Sequence, residues 1–394
     1  MKVLLAAVGS SITPDGVSRH EVNLARCLLL RPEVEQVDLV VGEWQRNSMC
    51  ALLGDCDSRL RLLICQTGQS AIARNWWYWS RLPSLATELG SDIVHLAYPV
   101  PIRRSAFACP VVVSLHDLYP YDIPENFGYS RAFANRLKLQ QCLRAADAVA
   151  SISRNTLHRL EIYASSEVVA KAVTIYNCVT SGPQTASGSP LPEWANEPFL
   201  LCVAQHRRNK NLPLSIEVFQ RLLATEGIAA NSRMVIVGSK GPETAGLTRL
   251  LTRAGLRDRV ALISGIGDAE LKWLYSHCEL LLATSTIEGF GLPIVEAMLN
   301  HCRIVCSDIP AFREVGGAYC HFASVVDNPL EAFVNATRIA LKSHRFRATH
   351  AESFSAESVG TAYVSLYRRL LQVASIRLPN GERERTPAFQ RGRT

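Results

Sequence analysis

The chain has 394 residues, 48% of them hydrophobic and 20% charged, with a formal net charge of +7. That length is enough for two ordinary domains with a core each, and that balance describes a globular and not a disordered polypeptide. Its apolar runs are too short to span a bilayer, and its dispersed cations, with no recognition module among them, exclude a nucleic-acid partner.

The opening stretch, residues 1–8, has an apolar core too short for a signal peptide and reads as the first strand of a sheet, with a helix pattern directly after it. Further β-like runs at 37–41, 60–65, 93–97, 111–115, 148–152 and 173–176 alternate with amphipathic stretches, the pattern of parallel α/β sheets. Residues 180–198 shift to Ser, Gly, Pro, Thr and Asn and read as a linker. The alternation then resumes with strands at 199–204, 233–237, 260–263, 280–283 and 304–307. The expected fold is α/β, with two doubly wound, Rossmann-like parallel-sheet domains (1–179 and 199–354) facing each other across a cleft at their strand carboxyl ends. A last amphipathic helix, 355–376, carries the apolar row Val359, Tyr363, Leu366 and Leu370, and the arginine-bearing tail 377–394 has no apolar period and is expected to be disordered.

Twelve cysteines are scattered singly with no Cys-x-x-Cys pair, so they read as reduced, buried small hydrophobes of a cytoplasmic protein, not as a zinc or redox site. Asp55-Cys56-Asp57 has the form of a metal-binding Asp-x-Asp, but no buried strand leads into it; it reads as a surface turn, and no metal is expected.

One segment carries most of the chemistry. Glu288 and Glu296 stand eight positions apart and enclose Gly289, Phe290, Gly291, Leu292 and Pro293, between a buried-strand pattern and a helix pattern with proline at its first position. Glycines at a strand-to-helix turn let the backbone approach a ligand, and free amides at the helix start favour an anion such as a diphosphate. Carboxylates suit sugar hydroxyls because each oxygen accepts strong hydrogen bonds. Upstream, His206-Arg207-Arg208-Asn209-Lys210-Asn211-Leu212-Pro213 follows a strand and leads into a helix, as a clamp of planar forks and a point charge for phosphates would. His116-Asp117 ends the 111–115 strand, where a histidine would point into the cleft.

The segment 288–296 resembles the Glu-seven-residues-Glu signature of retaining nucleotide-sugar glycosyltransferases of the two-Rossmann-domain (GT-B) architecture, group 1 / family 4 type. Weaker matches at 149–155, 175–179, 237–240 and 262–271 extend the resemblance from the first strand to about residue 370. It implies a donor, a UDP- or GDP-linked hexose, held by the second domain with no further cofactor. Glu288 then holds the sugar hydroxyls and Glu296 the ribose, and Lys210 with Arg207 or Arg208 clamps the diphosphate. Backbone groups around Ile263 read the base, and His116 assists across the cleft. Gly16 matches the family's first glycine-rich loop, though the second glycine is absent; Arg19 and His20 beside it either contact acceptor or phosphate or begin a solvated helix. His301 and Arg303 replace the family's Gly and Pro. The last helix is expected to return to the first domain.

The implied acceptor is a glycan or a lipid-linked sugar in surface polysaccharide or lipopolysaccharide assembly, with peripheral contact to the inner membrane face left open. Trp76-Trp77-Tyr78-Trp79, flanked by Arg74 and Arg81, reads as core, as an acceptor wall or as a headgroup contact. A non-catalytic sugar-nucleotide scaffold on the same fold is the rival reading. A nicotinamide dehydrogenase is disfavoured because no Gly-x-Gly-x-x-Gly follows the first strand.

Overall fold

The computed structural model describes residues 1–12, 16–54, 57–180, 188–344 and 350–377. The tail after 377, the centre of the expected linker and Asp55-Cys56 lie outside the described residues. Two all-parallel sheets organise the chain. The first holds β1 (Lys2–Ala6), β2 (Gln36–Gly42), β3 (Leu60–Cys65), β4 (Ile93–Leu96), β5 (Val111–Leu115), β6 (Ala148–Ser151) and β7 (Ala172–Thr174), in the order β3-β2-β1-β4-β5-β6-β7. The second holds β8 (Phe199–Val203), β9 (Arg233–Val237), β10 (Val260–Ile263), β11 (Leu280–Ala283), β12 (Ile304–Ser307) and β13 (His321–Ala323), in the order β10-β9-β8-β11-β12-β13. Each expected strand is present within two residues of its anticipated ends. β13 was not anticipated: three residues are too few to show a period.

The strands are runs of Val, Leu and Ile because helices cover both sheet faces; β1, for example, is buried from Val3 to Ala6. The strand order reverses beside β1 in one sheet and beside β8 in the other, and such switch points open a crevice at the strand carboxyl ends. The last helix, Ala356–Arg377, puts Val359, Tyr363, Leu366 and Tyr367 into the core of the first sheet. It meets helix Gly16–Leu29 backbone to backbone: a Cβ on Gly360 would stand 2.4 Å from the Cys27 carbonyl.

Part of the polar connector is docked. Leu191 and Trp194 pack on the second domain's core, with the Arg233 guanidinium 5.1 Å over the Trp194 ring. The aromatic run also divides, since helix Ala71–Glu88 turns Trp77 and Tyr78 into the core and Trp76 and Trp79 outward. His301 lies just past helix Leu292–Leu299 with φ 55°, and Cys302 N donates to the Ala297 carbonyl at 2.9 Å. A left-handed residue after a helix end favours glycine, which accounts for the residue the family keeps there.

Candidate active site

The elbow after β11 is fixed by backbone geometry. Gly291 has φ 114° and caps helix Leu292–Leu299, and a Cβ on it would press on the Phe312 ring at 3.0 Å. The helix therefore starts at Leu292, and Pro293 is its second residue, one later than its sequence suggests; proline suits either place because the first amides have no intrahelical partner. The basic loop is stitched to this elbow. Thr284 Oγ1 lies 3.1 and 2.9 Å from the carbonyls of Lys210 and Asn211, and Thr286 N donates to the Asn209 carbonyl at 2.8 Å. Asn211 turns the chain with φ 48° into helix Leu212–Ala224. Lys210 is thereby aimed at Glu288, with Nζ donating to Oε1 at 2.5 Å, and Ser285 Oγ donates to the same oxygen at 2.7 Å.

Glu288 Oε2 faces the first domain, 3.5 Å from the Tyr119 hydroxyl. Its neighbour Gly289 does not stand open to a ligand, as a cleft glycine was expected to: a Cβ there would lie 2.0 Å from the His116 carbonyl. Ser153 Oγ and Thr156 Oγ1 donate to the Gly289 carbonyl at 2.6 and 3.1 Å, and Asn155 Nδ2 donates to that of Glu288 at 3.2 Å. The domains are thus pinned together at the elbow. His116 Nε2 donates to the Ala97 carbonyl at 2.8 Å, because a carbonyl can only accept.

Glu296 lies one turn into the helix and is half-buried, and the loss of hydration raises its carboxyl above the ordinary range; Tyr275 donates to its Oε2 at 2.8 Å. Gly16 sits opposite Leu292, with room for a Cβ 3.9 Å from Leu292 Cδ1. Arg19 pairs with Asp268 at 2.7 Å and lends its charge to Glu296. His20 begins no solvated surface: it is 4% exposed, 3.0 Å from Ser114 Oγ and edge-on to the His116 ring at 4.8 Å. Behind it a buried chain runs from Ser114 through His95 to Tyr367 of the last helix, with contacts of 2.8 and 2.6 Å. Burial holds His95 down to about 3, so this chain is neutral.

The Phe290 ring is core, packed on Phe354 and Tyr176, so that residue meets the elbow through its backbone alone, and the Ile263 carbonyl accepts from Gly238 N at 3.0 Å within the sheet. Both arginines are exposed; Arg207 carries charge toward Asp117 and Tyr119, and Arg208 starts a short turn. Cavities of about 270 and 60 Å³ flank the elbow. The larger is lined by Asp117, Tyr119, Asn155, Arg159 and Glu288, the smaller by Arg19, Asp268, Tyr275, Leu292 and Glu296. Tyr119, Ser285 and Tyr275 were not among the expected site residues; for the first two the available signal was nearness in the chain to His116 and to Glu288. Asp57, the described part of the Asp-x-Asp, pairs with Arg59 at 2.7 Å, and among the described residues no three metal-ligating side chains converge.

Asp117 supplies a pH prediction. Burial, aided by the charges of Asp122 and Glu288, pushes its carboxyl up to about 6, against the Tyr119 amide and Arg207, which lower it. A carboxyl whose folded value is raised adds stability below its unfolded value of 3.8, and loses it as pH climbs through about 6. Melting curves of wild type and Asp117→Asn should therefore diverge across that window in favour of the amide; parallel curves would remove this carboxyl from the account.

Known proteins share this architecture. Residues 14–181 match the family model for Glycosyltransferase Family 4 and residues 189–353 that for Glycosyl transferases group 1. The O-antigen chain mannosyltransferase B of Escherichia coli is 23% identical over 94% of this chain and 100% of its own. The O-antigen chain mannosyltransferase RfbU of Salmonella typhimurium is 23% identical over 80% of this chain and 84% of its own. Among solved structures, Anabaena Alr3699/HepE in complex with UDP-glucose superposes with a TM-score of 0.65 at 17% identity, covering 95% of this chain and all of that one. Two family models in tandem, on two parallel-sheet domains that bring the Glu-seven-residues-Glu segment to their cleft, make this chain a group 1 glycosyltransferase of the GT-B fold.

Proposed function

We propose that this enzyme moves a hexosyl group, of mannose, glucose or galactose type, from a nucleoside-diphosphate sugar to a glycan or lipid-linked acceptor in lipopolysaccharide or O-antigen assembly. The donor is UDP- or GDP-linked. The anomeric configuration is retained, the diphosphate is held without a metal ion, and the reaction takes place in the cytoplasm. The carrying observation is the pairing of Lys210 with Glu288 on one side of the elbow and of Tyr275 with Glu296 on the other. As the sugar–phosphate bond breaks, negative charge grows on the diphosphate, where Lys210, Arg207 and the amides of 290–292 stabilise it. An ammonium has three donors, so Lys210 can hold Glu288 and a phosphate oxygen together. Glu288 then keeps the sugar hydroxyls next to the cavity that Tyr119 and Asp117 share. The names of the relatives support mannose and the O-antigen setting, and the HepE complex supports a UDP-linked donor.

A thermal-shift screen against UDP, GDP and their hexose conjugates tests the donor, because a ligand of the folded state alone raises the melting temperature. With the donor so found, Glu296→Ala should raise its KM by roughly tenfold or more, the loss of a charge-assisted contact to the ribose. An unchanged KM would take Glu296 out of the site. Binding without even slow donor hydrolysis would favour the non-catalytic scaffold.

A further inference from the structure

Helix Pro310–Gly316 of the second domain carries Glu314, and both oxygens of its carboxylate face the first domain. Oε1 accepts from Arg154 N at 2.7 Å and Oε2 from Asn155 N at 2.9 Å. These are the first two amides of helix Arg154–Tyr163, which have no intrahelical partner; the third, Thr156 N, donates to Ser153 Oγ at 2.9 Å. One domain thus completes the cap that the other begins. A carboxylate suits the place, because the helix dipole and the unpaired amides both favour negative charge. The Tyr176 hydroxyl bonds Glu314 as well, and burial first, then that charge and bond, lift the phenol above its ordinary value.

The same short segment holds the elbow from its other side. Ser153 and Thr156 bond the Gly289 carbonyl, and Asn155 bonds that of Glu288. Within the second domain, helix Pro310–Gly316 packs beneath the elbow, where a Cβ on Gly291 would meet the Phe312 ring at 3.0 Å and Val315 Cγ2 at 3.4 Å. Residues 153–156 are therefore gripped twice by one part of the second domain, at the elbow and at Glu314. The elbow bonds end on neutral carbonyls, whereas those to Glu314 are charge-assisted and roughly twice as strong.

We infer that Glu314 is a positioning residue: its carboxylate fastens the second domain to the start of helix Arg154–Tyr163, and so fixes where the elbow presents Glu288 to the first domain. It acts through residues 153–156 and not on the donor. Its effect on turnover rests on the transfer reaction proposed above; the fastening does not.

Two variants test it from opposite sides of the contact. Glu314→Gln keeps the size of the side chain but leaves one accepting oxygen for two amides and turns an NH2 group toward the other. With the donor identified, kcat should fall by roughly tenfold or more while the donor KM stays within about twofold, because the donor is held by the second domain and a misplacement of about 1 Å can cost roughly a hundredfold in rate. Arg154→Pro removes the amide itself. Proline fits a first helical position, and Ser153 before it is already extended, with φ −156° and ψ 160°. Arg154→Ala keeps the amide and should behave as wild type. The kcat losses of Glu314→Gln and Arg154→Pro should combine to less than their product, since both weaken one contact.

Small-angle scattering reads the fastening without catalysis. Glu314→Lys, which sets a cation against the helix start, should raise the radius of gyration, and Arg154→Ala should leave it unchanged. Wild-type kcat in Glu314→Gln, with or without a lower melting temperature, would overturn the inference, as would a raised donor KM at constant kcat. Losses that multiply in full, or scattering from Glu314→Lys identical to wild type, would do the same. Were the wild-type protein to transfer no sugar, the transfer reaction would fail and scattering would still decide the fastening.

Discussion

Lys210→Ala is expected to lower kcat/KM for the donor by roughly 10- to 150-fold, the loss of about 1.5–3 kcal/mol for a hydrogen bond to a charged group. Two effects add. The developing charge on the diphosphate loses its nearest point cation, and Glu288, whose side chain is only 10% exposed, loses the partner that holds it at 2.5 Å. The second effect also lowers the melting temperature, because a largely buried carboxylate left unpaired is costly, although the 20% exposure of Lys210 lets water offset part of that. Lys210→Arg keeps the charge but replaces a point donor with a planar fork, and should restore stability better than turnover. Steady-state kinetics on the three proteins, with melting curves alongside, decide the matter: wild-type kcat/KM in Lys210→Ala would end the assignment of this lysine to the site.

Gly289→Ala should be more damaging still, for a steric reason. The added Cβ would stand 2.0 Å from the His116 carbonyl oxygen, and both partners are backbone, so no side chain can swing aside. Relief requires the elbow to withdraw from the first domain and release the hydrogen bonds from Ser153 and Thr156. Overpacking of about 1–3 kcal/mol plus two hydrogen bonds of about 0.5–1.5 kcal/mol each places the destabilisation at roughly 2–6 kcal/mol. Glu288, one residue away, moves with the elbow, and a misplacement of about 1 Å can cost roughly a hundredfold in rate. Gly246→Ala is the control, as its Cβ meets nothing closer than Glu243 Oε2 at 4.0 Å. Equal activity and equal melting temperature for the two variants would show that the domains do not close on this glycine.

Both expectations begin in segments that the sequence marks plainly. The elbow was legible because its parts are local: a Leu-Leu-Leu-Ala strand, glycines where φ must be positive or the approach close, and a proline tolerated only in a first helical turn. The basic loop was legible for the same reason, but not the choice between its arginines. Arg207 brings charge to Asp117 and Tyr119, residues of the other domain that local sequence does not place beside it. His20 shows the limit from the other side. Beside Arg19 at a helix start it has the local pattern of a surface residue, and it is buried only because Ser114 and His116 of another strand and loop lie against it. Docked Trp194 and core Phe290 were hidden likewise, since their partners Arg233 and Phe354 are remote in the chain.

The sequence by itself determined two alternating α/β halves, the strand-to-helix elbow with its paired glutamates, and the basic loop ahead of it, because periodicity and backbone sterics act over a few neighbouring residues. Only the tertiary structure decided what each group faces. The bond from Lys210 to Glu288 spans 78 positions and that from Ser153 to Gly289 spans 136, and contacts at such separations exist only once each sheet has formed and the two have closed on one another.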